Sequence, residues 1–157
     1  AWLEGLDPKQ NRTIPPLQRD RVVALKQRRP DLVIELNGGL ESPEDCLEAL
    51  EGCDGAMVGR AAYSHPLRWS SIDALIFGEE SRQILASDVV NGLLPHAAAH
   101  LERGGRLWDL CRHLVQLVEG VRGARHWRRE LGEKAQRPGA DIDVLLQAGQ
   151  QLKDAGL

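Results

Sequence analysis

Long hydrophobic runs are missing from this sequence: no stretch approaches the roughly 18 apolar residues that a membrane-spanning helix needs. The opening residues show no basic segment leading into an apolar one, so no secretory leader is read and a cytoplasmic location is expected. Cysteine is scarce. Cys46, Cys53 and Cys111 are odd in number and widely spaced, which fits neither a disulfide framework nor a CxxC zinc pattern, and they are read as reduced packing thiols. Of the histidines, only His96 and His100 have HxxxH spacing, and they lack an accompanying acid or third ligand, so no metal site is expected. Trp2, Trp69, Trp108 and Trp127 lie too far apart to form a base-stacking platform and are read as core or interface anchors. No serine–histidine–aspartate set can be argued, and there is no internal repeat or low-complexity tract.

What remains is 157 residues, 42% hydrophobic and 27% charged, enough for one ordinary domain or two small ones with a buried core. The net charge of −3 hides an asymmetry. Residues 31–58 carry Asp31, Glu35, Glu41, Glu44, Asp45, Glu48, Glu51 and Asp54 with no Lys or Arg, a stretch that repels nucleic acid. Between Arg103 and Arg137 the balance reverses to a local excess of basic residues, so any surface for RNA or DNA is expected there.

Hydrophobic periodicity organises the chain into two halves. Pro15-Pro16 predicts a loop that introduces a helix with proline at its first position, running over 17–29 and stopped by Pro30. Leu32–Leu36 and Gly55–Gly59 read as short strands. Between them Ser42-Pro43-Glu44-Asp45 supplies an N-cap, a first-turn proline and early acids for a helix over about 43–51. A strand–helix–strand unit this short implies parallel strands, which need further strands to complete a sheet. The chain therefore reads as the closing end of an α/β barrel or sheet, with the beginning expected upstream. From residue 71 the period is helical, with segments at 71–77, 81–103, 106–119, 123–136 and 141–155, a kink or break at Pro95, and a small helical bundle as the predicted outcome.

Two groups of residues carry candidate chemistry. Asn37-Gly38-Gly39 follows the first strand, where a glycine pair beside a helix N-terminus lets backbone N–H groups face a phosphate. Gly59-Arg60 ends the second strand on the same rim, and arginine adds charge and a forked donor. Together they favour phosphate binding. On the helix over 123–136, Arg125, Arg128 and Arg129 share one face while Trp127 and Leu131 point away, giving a coherent basic surface suited to phosphates and base edges. Lys9 and Arg12 in the opening loop, taken alone, read as solvated charges.

The segments AWLEGLDPKQNRTIPPL, LNGGLESPEDCLEAL, GAMVGRAAYSHP and CRHLVQLVEGVRGARHWRRELGEKAQRPGADIDVL occur in that order, and together they resemble the tRNA-dihydrouridine synthases, specifically the bacterial A-type. The similarity covers essentially the whole chain. It implies the closing strands and helices of a flavin-binding TIM (β/α)8 barrel over 1–78, followed by a C-terminal helical tRNA-binding domain over 79–157. By this resemblance Asn37, Gly38, Gly39, Gly59 and Arg60 hold the phosphate of FMN, and Lys9, Arg12, Arg125 and Arg128 contact tRNA or set its orientation. The implied reaction is reduction of FMN by NADPH and hydride transfer to a flipped-out uridine at D-loop positions 20/20a, by a monomer without metal. The family's catalytic cysteine and its flavin-facing lysine and histidine lie upstream of Ala1. Cys46, Cys53 and Cys111 match none of those positions, so no catalytic residue is expected in this chain and no catalysis from it alone. Two alternatives stay open at this point: another phosphate-binding flavin barrel, which needs no arginine-rich helix, and a non-catalytic RNA-binding module.

Overall fold

The structure, a computed structural model, describes residues 4–12, 15–120 and 123–157. Contacts divide it into two compact units, Ala1–Val58 and Gly59–Leu157.

In the first unit a 3₁₀ turn over Gln10–Arg12 precedes helix α1, Arg19–Arg28. The prolines at 15 and 16 lie ahead of α1 rather than inside its first turn, because the helix starts only after Gln18. No residue of α1 is fully buried, and Val23 packs where a Cβ on Gly52 would otherwise sit, 3.0 Å from its Cγ2. Past Pro30 the chain enters strand β1, Glu35–Asn37. It is fixed there by Lys26, whose Nζ donates to the carbonyls of Pro30 (3.1 Å) and Leu32 (2.8 Å) and pairs with Asp54 Oδ2 at 2.8 Å. The same Asp54 oxygen accepts from the Ile34 N–H at 2.8 Å, and the Asp54 N–H donates to the Ile34 carbonyl at 2.9 Å. This clasp sets the register of β1 against strand β2, Gly55–Met57: the two are parallel, with Glu35 opposite Gly55 and Asn37 opposite Met57.

Helix α2, Pro43–Leu50, connects them. Its start is built as the sequence predicts. Ser42 Oγ accepts from the Asp45 N–H (3.1 Å), Asp45 Oδ2 accepts from the Ser42 N–H (3.0 Å), and Pro43 occupies the first turn, where no N–H is needed. Leu36, Leu40, Cys46, Ala49 and Cys53 form the buried interior of this unit. Both strands are shorter than predicted and β1 begins later, since Leu32 and Val33 are exposed and outside the ladder.

The second unit opens with short helix α3, Arg60–Ser64, a 3₁₀ turn over Pro66–Trp69, and helix α4, Ile72–Phe77; the first two are absent from the sequence reading. Helices α5 (Ala86–Glu102), α6 (Leu107–Leu114), α7 (Ala124–Lys134) and α8 (Ile142–Asp154) follow. They share one core, in which Val90, Leu107, Cys111, Leu131 and Leu145 are almost completely sealed and Leu67 packs from the 3₁₀ turn. Buried Gly149 lets α8 approach α5 closely, since a Cβ there would stand 3.1 Å from Val90 Cγ1. The predicted break at Pro95 does not occur. Pro95 and Asn91 are both exposed, so the missing i→i−4 bond falls on the solvent side, where water can replace it. Helix α5 starts at Ala86 rather than 81, where the Asp88 carboxylate accepts from the Leu85 N–H at 3.0 Å and closes its first turn. Helix α6 ends at Leu114, although Leu117 and Val118 beyond it stay buried.

Candidate anion loop and basic helix face

Asn37 is the last residue of β1, and the chain turns at once through Gly38 (φ +123°) and Gly39 (φ +66°), conformations that residues with a Cβ rarely adopt. The space a Cβ on Gly39 would take is occupied: Leu17 Cδ1 and an Arg19 guanidinium nitrogen would stand 2.7 and 2.8 Å from it. That guanidinium donates to the Gly39 carbonyl at 2.7 Å. Arg19 has no ion-pair partner among the described residues. The buried Leu40 follows, and its backbone N–H makes no hydrogen bond among the described residues.

The expected helix terminus beside this loop is differently committed. The N–H groups of Glu41 and Ser42 both go to Asp45 Oδ2, at 2.7 and 3.0 Å, and that of Asp45 goes to Ser42 Oγ. The Glu41 N–H, with the Ser42 N–H and the Ser42 side chain, holds the Asp45 carboxyl below the usual carboxylate range. The α2 N-terminus therefore caps itself. The Leu40 N–H in the glycine loop stays without a partner among the described residues, and the Arg19 guanidinium lies beside that loop on the Gly39 carbonyl. The sequence reading passed over Arg19, whose partner Gly39 is twenty positions away and unmarked by any spacing rule.

Gly59 and Arg60 belong to the second unit. Gly59 (φ −120°, ψ −89°) precedes α3 with open space where its Cβ would be, and Arg60, the first residue of α3, is exposed with no ion pair among the described residues. On α7, Arg125, Arg128 and Arg129 are exposed, whereas Ala124, Trp127 and Leu131 are buried. Trp127 Nε1–H donates to the Leu114 carbonyl at 2.9 Å, which ties α7 to the C-terminal end of α6 and fixes which face turns to solvent. Arg125 and Arg128 have no acidic partner among the described residues; Glu130 is bonded to Lys134. Lys9 is exposed in the opening segment, with its N–H on Asp7 Oδ1 at 2.7 Å. Arg12 closes the first 3₁₀ turn, and its side chain lies outside the described residues.

Two contacts between distant residues also escaped the sequence reading: Tyr63 Oη bonds His113 Nδ1 at 2.9 Å, and His65 Nδ1 lies 2.6 Å from Glu119 Oε2. Among the described residues no three His, Cys, Asp or Glu side chains are grouped as a metal would require, and no helix is long and apolar enough to cross a membrane.

A family model described as "Dihydrouridine synthase (Dus)" matches residues 5–154. The chain belongs to the dihydrouridine synthase family. It is 44% identical over 153 residues to a tRNA-dihydrouridine(20/20a) synthase of Shewanella oneidensis, covering 98% of this chain and 46% of the relative. Relatives of the same name from Salmonella typhimurium (43% over 154 residues; 98% and 46%) and Vibrio cholerae (40% over 148 residues; 94% and 45%) are similar. The chain spans about half the length of the curated relatives it matches. Every candidate residue named above, from Lys9 to Arg128, lies within the matched dihydrouridine synthase segment, which sets aside an unrelated flavin barrel.

Proposed function

We propose that this chain is the C-terminal part of a tRNA-dihydrouridine synthase of the A-type, cytoplasmic and monomeric, acting on D-loop uridines 20/20a. The observation that carries the reading is the match of nearly the whole chain to relatives that bear that name. Residues 1–78 then complete an FMN-binding TIM barrel, and 79–157 form a helical bundle that binds tRNA.

The donor set of the glycine loop fits a phosphate. Two left-handed glycines, a Leu40 N–H without a partner among the described residues and, across the Gly39–Leu40 peptide, the Arg19 guanidinium supply what a dianion requires, N–H donors with positive charge nearby. Asn37, Gly38 and Gly39 with Gly59 and Arg60 would hold the FMN phosphate. Parallel pairing of β1 with β2 supports the part of this played by Asn37, Gly38 and Gly39, because they follow the C-terminal end of a parallel strand, where ligands of α/β folds bind. When bound and reduced by NADPH, FMN supplies the hydride for uridine reduction. The chain's own part is to anchor that cofactor and to grip RNA. Lys9, Arg12, Arg125 and Arg128 would contact tRNA, and the Trp127 anchor keeps the arginine face of α7 outward for phosphate contacts.

The test is the dihydrouridine content of unmodified tRNA incubated with NADPH and the 157 residues joined to an upstream barrel half. Dihydrouridine at positions 20/20a is expected. A well-folded, flavin-loaded protein that leaves those uridines intact contradicts the reading.

A further inference from the structure

We propose that Arg19 is a positioning residue of the glycine loop, acting on a bound phosphate through the Gly39–Leu40 peptide. The proposal rests on reading that loop as a phosphate site. A trans peptide points its carbonyl and its N–H to opposite sides. With the Gly39 carbonyl held by the Arg19 guanidinium at 2.7 Å, the Leu40 N–H is turned to the other side of the loop. That N–H belongs to a residue only 5% exposed and has no partner among the described residues. Backbone donors are almost always bonded to protein or to water, so one without a protein partner is open to an anion. The cation on the carbonyl also polarises the peptide, which strengthens its N–H as a donor to an anion.

The arrangement explains Gly39 as well. A side chain there would collide with the guanidinium at 2.8 Å, so the glycine serves the approach of Arg19 as much as the turn. Asp45 forms no ion pair with Arg19: its Oδ2 accepts from both the Glu41 and the Ser42 N–H groups.

The experiment compares FMN with riboflavin, which shares the ring system and lacks the phosphate, by flavin fluorescence titration of the barrel-restored protein. Arg19→Gln keeps much of the side-chain volume and removes the charged fork. It is expected to weaken FMN about tenfold, the loss typical of one charge-assisted hydrogen bond, and to leave riboflavin unchanged. Arg19→Lys, which can still donate to the carbonyl, recovers most of the difference. Equal weakening of both flavins makes Arg19 a general fold residue and overturns the proposal, as does no change in either. A second readout uses the unaltered protein: FMN, and not riboflavin, slows hydrogen exchange at Leu40. Exchange there that FMN does not slow also overturns it. If the unaltered protein binds both flavins equally, the phosphate-site reading itself has failed.

Discussion

Trp127 holds the arginine-bearing helix in place, and its two contributions can be separated. The side chain is 4% exposed, so truncation to alanine removes roughly 150–250 Å² of buried surface and leaves a cavity, a loss of about 3–5 kcal/mol. Trp127→Phe keeps most of the apolar contact but deletes the Nε1–H that satisfies the Leu114 carbonyl at 2.9 Å. That carbonyl, on the last residue of α6, also accepts from the Leu117 N–H at 3.0 Å, so the substitution removes one of its two hydrogen bonds at a cost of about 0.5–1.5 kcal/mol. Against a total stability of about 5–15 kcal/mol, phenylalanine should lower the urea midpoint with an unchanged slope, while alanine should lower it much further. Far-UV circular dichroism follows both without depending on tryptophan emission. A Trp127→Phe protein as stable as the original would refute the idea that this hydrogen bond fastens α7 to α6.

Charge reversal of Arg125 or Arg128 should leave the urea midpoint nearly unchanged, as for exposed positions generally, while weakening tRNA binding and reducing the slope of log K against log salt by about one per residue. Unaltered affinity would remove α7 from the RNA surface. Burial pushes the Cys111 thiol up to about 12, so thiol reagents should leave it unmodified at neutral pH until the protein unfolds; rapid native labelling would contradict its packing. Asp45, Asp54 and Asp109 are held below the usual carboxylate range, chiefly by the Glu41 N–H, the Lys26 ammonium and the Arg106 guanidinium respectively. Because their folded values are depressed, the stability they contribute is complete above about pH 4 and lost as pH falls through those folded values. Urea midpoints that stay constant on acidification below about pH 4 would contradict this assignment.

Local chemistry made part of this molecule legible. Ser42-Pro43-Asp45 names its own helix start because a cap needs only neighbours in sequence, and the apolar stripe from Leu107 to Cys111 and Leu114 marks the face that α6 buries. Legibility fell where distant residues decide. β1 begins at Glu35 because Lys26 and Asp54 clasp the chain just before it, an arrangement that the β-branched run over 32–34 does not disclose. Helix α6 stops at Leu114 although the stripe continues to Val118, and the Trp127 indole takes its final carbonyl from thirteen positions away. The candidate site divides in the same way. Its glycines were readable from the strand end they follow. Arg19, and the commitment of the α2 N-terminus to Asp45, became visible only when the chain was folded.

The role proposed for these residues is to complete a flavin-binding half-site and to carry an RNA-gripping domain. Its most direct test is the visible flavin absorbance of the purified protein, measured on the 157 residues alone and on the same residues joined to an upstream barrel half. A colourless fragment and a yellow, FMN-containing barrel-restored protein are expected. A well-folded barrel-restored protein without flavin, and unable to take up added FMN, would contradict it.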